Sequence, residues 1–262
     1  MASDINPRPD DIILRGVGVS RHFGGLKAVD DVTVEVRRGL LTGIIGPNGA
    51  GKSTLFNVLA GALPPTAGRV EFEGRDVTAL PAHRRARLGL ARTFQLTRAL
   101  ARMTVLENLL LAPTGQVGER ILGPLLAYPQ VQAQEADLRR RAEETLDFFE
   151  IRHVQGAYAG QLSGGQKKLL ELARALMMEP RVVLLDEPMA GVNPTLARKL
   201  MDKVDDLRRD RGITFVLVEH DLETVFSRCD VILVMANGRK IAEGDAASVR
   251  ANEAVVEAYL GG

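Results

Sequence analysis

The 262-residue chain has one cysteine, Cys229, no tryptophan and only 4% aromatic residues. A single cysteine excludes an internal disulfide and any cysteine-built zinc site, and it suits a reducing compartment. Excess charge of one sign is also missing. With 34 basic and 33 acidic residues the net charge is +1, without the broad basic footprint that nucleic acid demands. No apolar run approaches the roughly 20 residues needed to span a bilayer. Ile121 to Tyr128 comes nearest, and Gly123 and Pro124 interrupt it. The start, Met1-Ala2-Ser3-Asp4, lacks the basic-then-apolar order of a secretion signal. What the chain does have is core material: 45% hydrophobic residues are enough for one large core, or a core with a lobe.

Gly46-Pro47-Asn48-Gly49-Ala50-Gly51-Lys52-Ser53 matches G-x-x-x-x-G-K-[ST]. Its glycines let successive backbone N–H groups turn inward at the positive end of the following helix and wrap a polyphosphate. Lys52 is placed to reach the β- and γ-phosphates and the Ser53 hydroxyl to ligate Mg²⁺, with the Thr54 hydroxyl nearby. Leu40 to Ile45 reads as a buried strand before the loop, and Leu55 to Leu59 as the start of an apolar-faced helix after it.

A second aliphatic run, Val182 to Leu185, ends in Asp186 and Glu187, with Pro188 stopping the strand. Continuous apolarity fits a strand buried on both faces of a parallel sheet, whose ligands lie beyond the strands' carboxyl ends. Asp186 is then expected to hold Mg²⁺, directly or through water, and Glu187 to orient and deprotonate an attacking water.

Ser163-Gly164-Gly165-Gln166 is a capping box opening a helix with apolar positions at Leu169, Leu172, Ala173, Leu176 and Met177. Two glycines leave that helix N-terminus bare, so its amides and the Ser163 hydroxyl are available to an anion. Elsewhere, alternation in Ile12 to Val19 and at Val32, Val34 and Val36 predicts antiparallel strands. Thr104-x-x-Glu107 is another capping box, Leu138, Ala142, Leu146 and Phe149 form a helical stripe, and Asn237-Gly238 marks a hairpin. Arg84-Arg85-Ala86-Arg87 and Arg139-Arg140-Arg141 read as solvated helix faces.

Together these residues resemble the ATP-binding cassette (ABC) family across nearly the whole chain. Gly46 to Ser53 corresponds to the Walker A loop, Val182 to Asp186 to the Walker B strand, and Leu162 to Gln166 to the family signature. The resemblance implies an α/β fold, a P-loop NTPase (RecA-like) core with an antiparallel β subdomain and an inserted α-helical subdomain. The chain then forms a single nucleotide-binding domain, 1–262, with core and β subdomain in 12–94 and 179–262 and a helical subdomain in 95–178. The resemblance also implies that Phe23 stacks on adenine, Gln95 ligates Mg²⁺ and senses the membrane partner, and His220 contacts the γ-phosphate. Ser163, Gly164, Gly165 and Gln166 would act in trans, on nucleotide held by a second ATPase subunit, either another copy or a paralogue. Asn193 stands where many cassettes carry an aspartate that communicates across the dimer.

Within the family the chain is similar to ATP-binding subunits of branched-chain amino acid importers. That likeness rests on Phe23 to Leu26, Arg92 to Gln95, Met103 to Leu110, Ala258 to Gly261 and the extra segment after Leu111, between Ala112 and Glu135. It implies membrane permease subunits as partners, an extracytoplasmic solute-binding protein as an indirect one, no nucleic acid, and a cytoplasmic place on the inner face of the membrane. The same machinery would serve an exporter, including a lipopolysaccharide-type system, or a soluble assembly ATPase.

Overall fold

The structure is a computed structural model that describes residues 11–93, 100–113 and 128–260. They divide into two units, one within Met1–Arg92, Arg181–Pro188 and Val204–Gly262, the other within Thr93–Pro180 and Met189–Lys203.

The first unit contains two sheets. Strands β1 (Ile12–Phe23), β2 (Leu26–Arg37), β4 (Ala67–Phe72) and β5 (Arg75–Asp76) form an antiparallel sheet in the order β2-β1-β4-β5. The valine alternation is the cause, because Val32, Val34 and Val36 all turn to the core while their neighbours do not. The second sheet runs β10-β9-β3-β8-β7-β6, from β3 (Leu41–Ile45), β6 (Leu90–Arg92), β7 (Val182–Asp186), β8 (Thr214–Val218), β9 (Val231–Ala236) and β10 (Arg239–Gly244). Its pairings are parallel except for the β9–β10 hairpin, whose turn is Asn237-Gly238. Every residue of β3, β7 and β8 is buried, as their unbroken apolarity predicts.

Helix α1 (Lys52–Leu59) follows β3 through the glycine-rich loop. Leu55, Phe56, Val58 and Leu59 enter one core with Leu14, Val19 and Val34 of the antiparallel sheet and Ile44, Leu184, Val216 and Leu233 of the parallel one. The glycine-rich loop therefore stands on a helix clamped by apolar contact with both sheets.

One basic cluster departs from the sequence expectation. In α2 (Ala82–Arg87), Arg84 and Arg87 are exposed, but Arg85 is buried, 1% exposed. Its guanidinium donates to the carbonyls of Val58 and Leu59 at 2.9 and 2.7 Å, and to those of Leu80 and Thr78 at 2.9 and 3.1 Å. Arg85 thus supplies a donor to the Leu59 carbonyl and a second one to that of Val58, which also accepts from Gly61 N–H at 3.1 Å, at the end of α1, where a cation also complements the helix dipole. Burial pulls this guanidinium down to about 10, still charged at neutral pH. Arg85→Ala is expected to cost about 3 kcal/mol, because the carbonyls of Leu59, Leu80 and Thr78 lose the guanidinium donor. Arg84→Ala should stay within about 0.5 kcal/mol. Thermal or denaturant unfolding separates the two; equal midpoints would mean that Arg85 does not tie down α1.

The second unit is helical: α3 (Val105–Leu110), α4 (Tyr128–Phe148), α5 (Gly164–Met177) and the start of α6 (Pro194–Arg211). Both predicted capping boxes form. Glu107 N–H donates to Thr104 Oγ1 at 3.2 Å and Thr104 N–H to Glu107 Oε2 at 2.7 Å. Leu138, Ala142, Leu146 and Phe149 are buried, as are Leu169, Leu172 and Leu176 of α5. In the other basic cluster Arg139 and Arg140 are exposed and ion-paired. Arg141 is half-buried, with Nη2 at 3.4 Å from the Met177 carbonyl. Most of the segment between Ala112 and Glu135 lies outside the described residues. The described helices α7 (Leu222–Arg228), α8 (Ala246–Arg250) and α9 (Glu253–Leu260) belong to the first unit, and no described helix is long and apolar enough to cross a membrane.

Candidate nucleotide site

The loop geometry follows from two glycines. Gly46 has φ of 149°, and a Cβ there would meet the Met235 carbonyl oxygen at 2.1 Å. Gly51, the residue before α1, has φ of 98°, and a Cβ there would meet the Ala28 carbonyl oxygen at 2.2 Å. Both conformations are left-handed or nearby and have no room for a side chain, so the loop is held against β9 and β2 by backbone alone. Lys52, 5% exposed, donates from Nζ to the carbonyls of Gly46 and Pro47 at 2.7 and 2.9 Å, which fixes the ammonium inside the loop. Burial lowers its pKa, and the Glu187 carboxylate partly opposes that.

Outside the loop lies a cavity of about 600 Å³, lined by Asn48 to Thr54 together with Phe23, Lys27, His220 and Asn237. A chamber of that size, with convergent backbone amides at its base, suits a nucleotide. Phe23 is half exposed at the rim, and the Arg21 guanidinium covers its ring at 4.8 Å from the centroid. The loop residues, Phe23 and His220 are thus brought together. Five lining residues stand outside the sequence-based site set: Leu26, Lys27 and Ala28 at the start of β2, and Asn237 and Gly238, which read only as a hairpin turn. Asn237 has φ of 49°, the left-handed conformation of such turns. That it caps the cavity follows from β9 lying beside β3, which no local pattern announces.

At the end of β7 the two acidic residues diverge in environment. Asp186 is buried, its Oδ2 accepts from Arg92 Nη2 at 2.9 Å, and its Oδ1 has no hydrogen-bond partner among the described residues. An orphaned buried carboxylate oxygen costs free energy unless a cation or donor meets it. Glu187 continues the ladder, its N–H donating to the Val218 carbonyl at 2.9 Å, and then turns the chain with φ of 45°. That left-handed conformation, uncommon for a non-glycine residue, accompanies a 2.8 Å hydrogen bond between Glu187 Oε1 and His220 Nε2. Hard oxygens from Asp186 and Ser53 are the donor types that suit Mg²⁺, which ordinarily takes one or two protein oxygens plus phosphate.

In the helical unit, Gln166 N–H donates to Ser163 Oγ at 3.3 Å and Ser163 N–H to Gln166 Oε1 at 3.0 Å. The hydroxyl accepts in this box, so its O–H remains a donor. Gly164 is exposed with open space around it, whereas Gly165 is buried and a Cβ there would meet Leu196 Cδ2 at 1.6 Å. The second glycine therefore has a packing reason that sequence did not reveal. Asn193 caps α6, its Oδ1 accepting from Leu196 N–H at 2.9 Å ahead of Pro194 in the first helical position. Gln95 lies outside the described residues.

A parallel sheet carrying a glycine-rich loop into α1, with acids at the end of β7, defines a P-loop nucleoside triphosphatase. Residues 29–190 match the ABC transporter family, and residues 239–262 match the branched-chain amino acid ATP-binding cassette transporter family. A relative from Archaeoglobus fulgidus, named probable branched-chain amino acid transport ATP-binding protein LivG, is 43% identical over 249 residues, 95% of each chain. A solved nucleotide-free ATP-binding cassette from an ABC transporter is 41% identical, with TM-score 0.80 over 95% of this chain and 98% of that one. A cassette solved in its ADP conformation is 39% identical, with TM-score 0.80 over 96% and 99%. The chain belongs to the ATP-binding cassette transporter family, and it is a transport ATPase subunit that binds ATP.

Proposed function

We propose that this chain powers a membrane importer for branched-chain amino acids or related small polar solutes. ATP would be held on Gly46 to Thr54 with adenine against Phe23. The observation that carries the cargo reading is the C-terminal match over 239–262, which lies outside the catalytic motifs and so distinguishes subgroup from fold. Names of relatives such as the one from Archaeoglobus fulgidus support it.

In this reading Lys52 and the loop amides bind the β- and γ-phosphates. Ser53 and Asp186, together with Gln95, would hold Mg²⁺, whose chemistry there would be to offset negative charge on the phosphoryl oxygens. Glu187 accepts a proton from the attacking water, and His220, bonded to that carboxylate, orients it and contacts the γ-phosphate. Ser163, Gly164, Gly165 and Gln166 of a second subunit, a copy or a paralogue, present the α5 N-terminus to the same triphosphate. The paired subunits sit on the inner face of the cell membrane against permease subunits, with a solute-binding protein on the far side.

Purification of the tagged chain from its own membranes tests this reading. Polytopic membrane proteins are expected to co-purify, and proteoliposomes of that complex should take up leucine or valine only with ATP and the solute-binding protein. Recovery in a complex without membrane proteins would favour an assembly ATPase, and outward transport would favour an exporter; either result overturns the importer.

A further inference from the structure

Arg92, at the end of β6, joins three groups that sequence reasoning left unconnected. Its Nη2 donates to Asp186 Oδ2 at 2.9 Å, its Nη1 donates to Asn57 Oδ1 at 2.6 Å, and its guanidinium lies 5.0 Å from the centroid of Phe56. The Arg92 and Asp186 side chains are 16% and 3% exposed, so water screens little of the interaction. Asn57 and Phe56 belong to α1, directly behind the phosphate loop. Asp186 Oδ1, the other oxygen, is buried and has no hydrogen-bond partner among the described residues.

We propose that Arg92 is the positioning residue of the metal site: it occupies Asp186 Oδ2, so that Oδ1 alone is offered to Mg²⁺. The proposal rests on the assignment of Asp186 as a metal-holding carboxylate. A planar guanidinium suits the task because its fixed donors meet Asp186 and Asn57 at once, which a lysine ammonium on its flexible stem does not reproduce. The arrangement has a cost. A positive charge at 2.9 Å weakens the carboxylate's pull on a divalent cation, so Arg92 exchanges metal affinity for orientation.

That exchange makes the test specific. Mn²⁺ serves as the probe, and its binding to the purified chain with ADP is measured by the electron paramagnetic resonance of the free ion. For Arg92→Met, Mn²⁺ is expected to bind about tenfold more tightly while kcat with Mg·ATP falls about tenfold. For Arg92→Lys, Mn²⁺ affinity should stay within about twofold of the parent while kcat still falls several-fold. A merely structural arginine would instead give weaker Mn²⁺ binding in parallel with a lower melting temperature, and that result overturns the proposal, as does unchanged Mn²⁺ affinity in Arg92→Met. If Arg92→Met does not fold, Arg92→Lys decides: parental kcat overturns the proposal, and reduced kcat with parental Mn²⁺ affinity upholds it. Asp186→Asn separates the underlying assignment. Unchanged Mn²⁺ affinity there removes Asp186 from the metal site, whereas loss there with no change in Arg92→Met defeats the role of Arg92 alone.

Discussion

Glu187→Gln is expected to lower steady-state phosphate release by about a hundredfold or more, with ATP affinity kept within about twofold. Glutamine keeps the shape and a hydrogen bond to His220, now 2.8 Å from Glu187 Oε1, but it accepts no proton from water. The backbone there adopts φ of 45°, so the side chain's aim is set by the turn after β7 and survives the exchange. Because binding is spared and turnover is not, the variant should accumulate as an ATP-bound dimer. Size-exclusion chromatography with ATP and Mg²⁺ would show the doubled mass. Phosphate release at the parental rate would remove Glu187 as the base.

Lys52→Met should act on capture instead. The ammonium is buried within the loop and donates to two carbonyls of that loop, so it is pre-placed where phosphate oxygens approach. Charge-assisted hydrogen bonds contribute about 1.5–3 kcal/mol each, so loss of the two that the ammonium would make to the β- and γ-phosphates predicts ATP affinity weaker by roughly a hundredfold or more. Binding of a fluorescent ATP analogue measures this directly, and the unfolding midpoint guards against a collapsed loop. Affinity within about threefold of the parent, with an intact fold, would show that the loop binds without its lysine.

How much of this was legible beforehand depends on range along the chain. The glycine-rich loop, the aliphatic run into Asp186, the boxes at Thr104 and Ser163 and the Asn237-Gly238 hairpin were readable because each is made by residues within a few positions of one another. Arg85 was misjudged as solvated because its partners, the carbonyls at the end of α1, are brought to it by the packing of α2. Gly165 was assigned to phosphate alone because Leu196, which fills the space beside it, comes from another helix. Arg21 behind Phe23 and Arg92 on Asp186 escaped notice because cation–π and ion-pair partners leave no spacing rule in a sequence.

By itself the sequence determined the local elements: which short segments fold into a glycine-rich loop, an acid-tipped buried strand and a serine-capped helix start, since backbone preferences and periodicity act locally. Only the tertiary structure decided which distant groups meet. The parallel sheet sets β7 beside β8, bringing Glu187 to His220, and β9 beside β3, bringing Asn237 to the cavity outside the glycine-rich loop. Those meetings are outcomes of strand register and close packing, which depend on the whole fold rather than on any one segment.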